Sequence, residues 1–208
     1  MYPEMPLEGF LARLASADPE PGGGAAAALV AATGAALVSM VANLTVGKEK
    51  YTAVQAEMEQ ARDRGQALVR DMAGAIDLDA ESFRKVMAAY RLPRETDEQK
   101  AGRKRAIQQA LRDATVEPAR VVRLCGEIAD LSRVVMEKGN VQAITDAAIA
   151  AVLADAAAVS AALNVKINLG PIGDPAFTEP LWAELQGIMD RVRSTRDEVV
   201  AGTYDRLG

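Results

Sequence analysis

Histidine is absent from the 208 residues, and cysteine occurs once, at Cys125. Together these two shortages exclude every His-based triad, any disulfide within the chain and zinc sites built from the usual His and Cys ligands. Acid–base chemistry is therefore left to Asp, Glu, Lys or Tyr. An excess of positive charge is also lacking. Twenty-four Lys and Arg stand against 29 Asp and Glu, a net charge of −5, which argues against nucleic acid or an anionic membrane surface as a partner. The first residues, MYPEMPLEGFLARL, have no basic segment ahead of an apolar one, so no secretory signal is read there and a cytoplasmic location is expected. Strand alternation, low-complexity linkers and internal repeats are missing too. With half of its residues apolar, the chain is expected to form one domain over 1–208.

What is present is helical periodicity. Leu7, Phe10, Leu11 and Leu14 have helical spacing and end at the breaker SADPEPGGG. From 51 to about 90 an apolar stripe through Val54, Met58, Leu68, Met72, Ile76, Phe83, Val86 and Tyr90 predicts a long amphipathic helix, with Gly65 or Gly74 as candidate bends. Pro93 stops it, and Thr96-Asp97-Glu98-Gln99 has the form of a capping box. Pro118 is expected to start or kink the next segment, which ends at Gly139-Asn140. An Ala-rich helix over 141–165, a loop KINLGPIGDP and a last helix opened by Thr178-Glu179-Pro180 complete the chain. The fold class expected is all-α, a bundle of about six or seven helices with Ala-rich helices at its centre.

Residues 22–47 carry no charge. A run of that length is a candidate for crossing a membrane, but Ala, Gly, Ser, Thr and Asn dominate it and bring little apolar area to lipid. A nucleotide loop is excluded. No strand precedes Gly22-Gly23-Gly24, and the phosphate-loop spacing fails because Ala42 stands in place of its first glycine and Glu49 follows Lys48. Two small-residue helices packed closely in a core, or at an interface, fit better. The three glycines still offer an uncrowded helix N-terminus whose free amides suit an anion. At the other end, Lys48, Lys50 and Tyr51 serve either a ligand or simply the helix dipole. Asn43, an amide in an apolar helix, requires partners.

One carboxylate is out of place. With Met72 as origin and about 100° per residue, Ile76, Asp79, Phe83, Val86 and Tyr90 all fall within about 40° of it, while Asp77 and Glu81 point away. A carboxylate on an apolar face must be paired, must accept from a helix end, or must have a raised pKa suited to general acid–base work. Asp146 is a second such residue, readable as a helix cap or as a polar group facing the same cavity.

PGGG at 21–24, GAALVSMVANLTVGKEKY at 34–51, DLDAESFRKVMAAYRLPRET at 77–96, EKGN at 137–140, TDAAIAAVL at 145–153 and AALNVKINL at 161–169 occur in that order. By these six motifs the chain resembles the cyclodeaminase/cyclohydrolase family of folate one-carbon enzymes over nearly its whole length. The resemblance implies an all-α homodimer, a tetrahydrofolate-derived substrate, and no metal or redox cofactor. It implies that Asp79, the second aspartate of D-x-D-x-x-x-F, is catalytic. Lys48, Asn43, Asp146 and Asn168 are carried over as pocket residues, Lys48 to orient water, assist proton transfer or hold a carboxylate of the substrate, and Gly22, Gly23, Gly24 and Lys50 are candidate contacts to the substrate's anionic tail. Ala25 and Thr145-Asp146-Ala147-Ala148 replace the family's usual Ser and Ser-Asp-x-Gly.

The implied chemistry needs no histidine. In 5,10-methenyltetrahydrofolate one carbon bridges N5 and N10 as a delocalised cation, and a carboxylate beside it can take a proton from attacking water. Hydrolysis to 10-formyltetrahydrofolate is the activity expected. Cyclodeamination of 5-formimidoyltetrahydrofolate, releasing ammonia, is the alternative at the same site, and an inactive dimeric helical scaffold is the reading from outside enzymology.

Overall fold

The computed structural model describes residues 1–208. Six α-helices account for most of the chain: α1 (Leu7–Leu14), α2 (Gly23–Asn43), α3 (Gln55–Tyr90), α4 (Asp97–Lys138), α5 (Ile144–Leu169) and α6 (Pro175–Leu207). Short 3-10 turns cover Tyr2–Glu4, Glu49–Val54 and Val141–Ala143, and there is no strand. The all-α expectation therefore holds, at the lower of the two helix numbers.

The Ala-rich helices α2 and α5 form the centre, where small side chains permit close backbone approach. A Cβ added at Gly34 of α2 would lie 3.2 Å from the Ala150 carbonyl oxygen of α5, and one at Gly65 of α3 would lie 3.2 Å from that of Ala35. Since Gly23 adjoins Asn164 and Gly34 adjoins Ala150, α2 and α5 run antiparallel. One cluster of 42 buried apolar residues draws on all six helices. By length and composition alone Gly23–Asn43 and Val141–Leu169 could cross a membrane, yet 61% and 44% of their apolar windows are buried inside the bundle.

Helices α3 and α4 are also antiparallel, in a register fixed along their length by Arg64 to Glu127 at 2.6 Å, Arg120 Nη2 donating to the Asp71 carbonyl at 3.1 Å, and Arg103 Nη2 donating to the Tyr90 carbonyl at 2.9 Å. Continuing that register sets Asp79 level with Ala114, and Val86 level with Ile107.

Three expected boundaries are corrected. Pro118 neither starts nor breaks a helix: α4 is continuous from the Thr96 capping box to Lys138. Proline cannot donate to the carbonyl four residues back, and that orphan, the Ala114 oxygen, accepts instead from Asn168 Nδ2 of α5 at 3.0 Å. Helix α5 runs through Lys166–Leu169, leaving only residues 170–174 as loop. Helix α6 starts at Pro175, not Thr178, because the Asp174 side chain accepts from the Ala176 amide and Pro175 occupies a first-turn position that needs no donor. Neither Gly65 nor Gly74 interrupts α3.

Candidate active site

The N-terminus of α2 lacks a cap of its own. Gly22 holds the N-cap position and has no side chain to offer, so the amides of the first turn are open. Asp79, from the middle of α3, supplies the missing acceptor across the bundle. Its Oδ2 accepts from the Ala25 amide at 3.1 Å. The approach is so close that a Cβ on Gly24 would fall 2.5 Å from Asp79 Cγ and 2.7 Å from Oδ2, with Oδ1 nearer still. Of the three glycines, Gly24 alone is demanded by space, since a Cβ at Gly23 would rest 3.7 Å from Asn164 and one at Gly22 3.5 Å from the Pro19 carbonyl.

Asp79 Oδ1 makes no hydrogen bond within the chain and opens onto a cleft of about 300 Å³. The α2 N-terminus, Asp79, Phe83 and Val86 of α3, Ala114 of α4, and Asn164, Ile167 and Asn168 of α5 line this cleft. Glu20 borders it, tied to Arg84 at 2.7 Å. Burial pushes the Asp79 carboxyl above the usual carboxylate range. The Ala25 amide opposes that shift, and the negative Glu117 of α4 adds to it. A half-buried acid with one oxygen anchored and one free can accept a proton from water and return it. Both alternatives read from periodicity thus apply to one residue, which caps a helix and faces a pocket.

The expected site residues separate into two groups. Gly22, Gly23, Gly24, Asp79 and Asn168 meet at this cleft, although the Asn168 amide nitrogen is committed to the Ala114 carbonyl. Asn43, Lys48, Lys50 and Asp146 lie at the opposite end of the antiparallel α2/α5 pair, about 30 Å away by helix rise. Asn43 is exposed rather than buried and borders a separate hollow with Met40, Gln66 and Arg70. Lys48 precedes the 3-10 turn and makes no ion pair; Lys50 Nζ lies 5.4 Å from the Tyr51 ring centre. Asp146 sits in the first turn of α5, where a negative charge complements the helix dipole.

At that far end Asn140, read from the sequence as part of a helix stop and of the EKGN motif, organises the chain. Its amide donates to Thr45 Oγ1 at 2.9 Å, its Nδ2 donates to the Leu44 carbonyl at 3.2 Å, and its Oδ1 accepts from Tyr51 at 3.4 Å. In the cleft, Asn164 and Ile167 were missed. Their signal is Asn-x-x-x-Asn over 164–168, two amides on one helix face.

A helical bundle whose cleft holds an aspartate seated on a helix N-terminus is a scaffold for acid–base work by carboxylate alone, and its relatives are enzymes of folate chemistry by name. Residues 6–187 match the family described as formiminotransferase-cyclodeaminase, and the chain belongs to that family. It is 46% identical over 193 residues, 93% of each chain, to a methenyltetrahydrofolate cyclohydrolase of Methylorubrum extorquens. To the formimidoyltransferase-cyclodeaminase of Mus musculus it is 28% identical over 199 residues, which span 96% of this chain and 37% of that one. The fold matches the crystal structure of a formiminotetrahydrofolate cyclodeaminase from Thermotoga maritima with a TM-score of 0.89 at 29% identity, over 99% of this chain and 98% of the other.

Proposed function

We propose that the protein hydrolyses 5,10-methenyltetrahydrofolate to 10-formyltetrahydrofolate in the cytoplasm. The observation that carries this is the free Oδ1 of Asp79, a carboxyl kept above its usual pKa by burial. Water adds to the bridging carbon as its proton passes to Asp79. The adduct then collapses by breaking the carbon–N5 bond: Asp79 returns its proton to N5, and the adduct's hydroxyl proton leaves to solvent as the formyl C=O forms. The anionic form of Asp79 also faces the cationic ring system, so the charge that burial disfavours in the free enzyme is the one the substrate stabilises. The bridging carbon is electrophilic already, and the reaction as written calls on no metal or redox cofactor.

Cyclodeamination is the second reading, favoured by the Thermotoga structure; the 46% identity to a cyclohydrolase, against 28% to the mouse bifunctional protein, supports hydrolysis first. Parallel assays separate them, one following loss of the methenyl absorbance and the other ammonia released from 5-formimidoyltetrahydrofolate. Faster turnover of the second substrate would reverse the order, and turnover of neither would favour the inactive scaffold.

The protein is proposed to act as a homodimer. Ile149, Val152, Val159, Leu163 and Ile167 share one face of α5, and Leu163 and Ile167 are 67% and 74% exposed. An uncharged apolar face of this length marks an interaction surface. Pairing two copies antiparallel about the middle of that stripe, near Ala158, sets residue 146 of one protomer opposite residue 170 of its partner. The Lys48/Asp146 end of one chain then reaches the Asp79 cleft of the other, which accounts for the split in the expected site. Complementation tests this: mixed Asp79→Asn and Lys48→Met chains should regain activity that neither has alone. Failure of a mixture shown to contain heterodimers would oppose the shared site.

A further inference from the structure

The Asp79 cleft holds a second carboxylate that the reaction leaves unused. Glu20, on the loop between α1 and α2, lines the cleft together with Asp79; no other acidic residue lines it, and no Lys or Arg does. Glu20 is fixed at two points. Its carbonyl accepts from Arg13 Nε of α1 at 3.3 Å, and its Oε2 accepts from Arg84 Nη1 of α3 at 2.7 Å. The Glu20 side chain is only 20% exposed, and its Oε1 accepts no hydrogen bond within the chain. A carboxylate has about four lone-pair sites, so the bond from Arg84 orients the group and leaves both oxygens able to accept again.

The other polar groups of the cleft offer less. Asn164 Nδ2 donates to the Ser160 carbonyl at 2.9 Å, and Asn168 Nδ2 to the Ala114 carbonyl at 3.0 Å. Each amide therefore has one oxygen left for a ligand, and Ser82 has a single hydroxyl. Asp79 is held by the Ala25 amide at 3.1 Å and is reserved for proton transfer. Glu20 alone presents two acceptors side by side.

We infer that Glu20 binds the pyrimidine edge of the substrate's pterin, accepting from its 2-amino group and its N3–H, with Arg84 as the positioning residue; the inference rests on the folate reading above. That edge is a pair of parallel donors, and a carboxylate is its bidentate complement. Lengths agree. Standard bond lengths put the 2-amino nitrogen about 6 Å from the bridging carbon, and Arg84 lies five residues, about 7.5 Å, beyond Asp79 on α3. Phe83, one turn on from Asp79, lines the cleft and is 37% exposed, an apolar face for the ring system. One pose then sets the reacting carbon at Asp79 and the donor edge at Glu20.

The test compares kcat/KM for 5,10-methenyltetrahydrofolate and its 2-desamino analogue, each divided by its opening rate in buffer, in wild type and in Glu20→Gln. Wild type should prefer the natural substrate by about 30-fold, the worth of a hydrogen bond to a charged group. Glu20→Gln, whose amide sets a donor against a donor, should bring the preference below about threefold, through a raised KM for the natural substrate with kcat little changed. Arg84→Met breaks the same ion pair but keeps the carboxylate, and should retain a preference of about tenfold. Glu81→Gln removes a nearby negative charge that pairs with Lys85 outside the cleft, at 2.8 Å, and should leave the preference whole. A wild type that does not discriminate, a Glu20→Gln protein that keeps the preference, or a preference lost equally in Glu20→Gln and Arg84→Met overturns the inference. Should wild type open neither compound, the hydrolysis reading fails separately, and titration with 6-methyltetrahydropterin and its 2-desamino counterpart still decides the subsite. Tighter binding of the former that disappears in Glu20→Gln supports it, and equal binding or none overturns it.

Discussion

Gly24→Ala is the sharpest perturbation of the site because the added atom has nowhere to go. Its Cβ would lie 2.5 Å from Asp79 Cγ and 2.7 Å from Oδ2, so the carboxylate must retreat by about an ångström to reach ordinary contact. That movement breaks the 3.1 Å bond from the Ala25 amide. A hydrogen bond to a charged group is worth about 1.5–3 kcal/mol, which corresponds to roughly 10- to 150-fold in rate if it is felt fully in the transition state. Misplacing a catalytic group by 1 Å costs about 100-fold by itself. A loss near 100-fold in kcat is expected, measured from decay of the methenyl absorbance. Stability should move little, because alanine in a helix is favoured over glycine by about 0.5–1 kcal/mol, which offsets part of the lost contact. Gly23→Ala is the control: its Cβ meets only Asn164, at 3.7 Å, so its loss should be much smaller. A Gly24→Ala enzyme within threefold of wild type, or a Gly23→Ala enzyme equally damaged, would refute the reasoning.

Since burial holds the Asp79 carboxyl above the ordinary carboxylate range, kcat/KM should rise with pH through an apparent pKa higher than that of a free aspartate, and a profile flat across the acid range would contradict it. Cys125 is buried and its thiol is pushed up to about 12; iodoacetamide should leave it unmodified in the native protein at pH 8 and alkylate it in denaturant, and ready native labelling would argue against the packing of α4. Asn168→Ala should destabilise by about 1–2 kcal/mol in urea titrations, because it strands the Ala114 carbonyl. In a Pro118→Ala background, where the new amide can bond that carbonyl, the same change should cost far less, and a coupling below about 0.3 kcal/mol would dismiss the explanation.

Local signals carried the helix pattern, and tertiary ones decided what that pattern meant. Asp79 was legible because a single carboxylate on a 3.6-residue apolar stripe conflicts with its neighbours, and the Thr96–Gln99 box was legible because both of its bonds lie within one turn. Pro118 was misread for the opposite reason. The donor that makes a mid-helix proline tolerable is Asn168, 54 positions away. Asp174 escaped notice beside the more conspicuous Thr178-Glu179-Pro180, although its side chain starts α6. Lys48 and Asp146 fell into one group with Asp79 because ordered motifs say nothing about which ends of antiparallel helices adjoin. Within one chain they do not meet, and the α5 stripe is the feature that can bring them together.

Asp79→Asn tests the central claim most directly, because it keeps the shape of the side chain and an oxygen that can still accept from the Ala25 amide. A carboxyl whose folded-state pKa lies above its unfolded one binds more protons when folded. It therefore withholds stability as pH rises past the unfolded value. The variant should be more stable than wild type at pH 7, and the gain should fade below the pKa of a free aspartate. Methenyltetrahydrofolate should then open rapidly with wild type and at the buffer rate with this equally or more stable variant. A wild type no faster than buffer, or an Asp79→Asn protein that keeps most of the rate, would contradict the account.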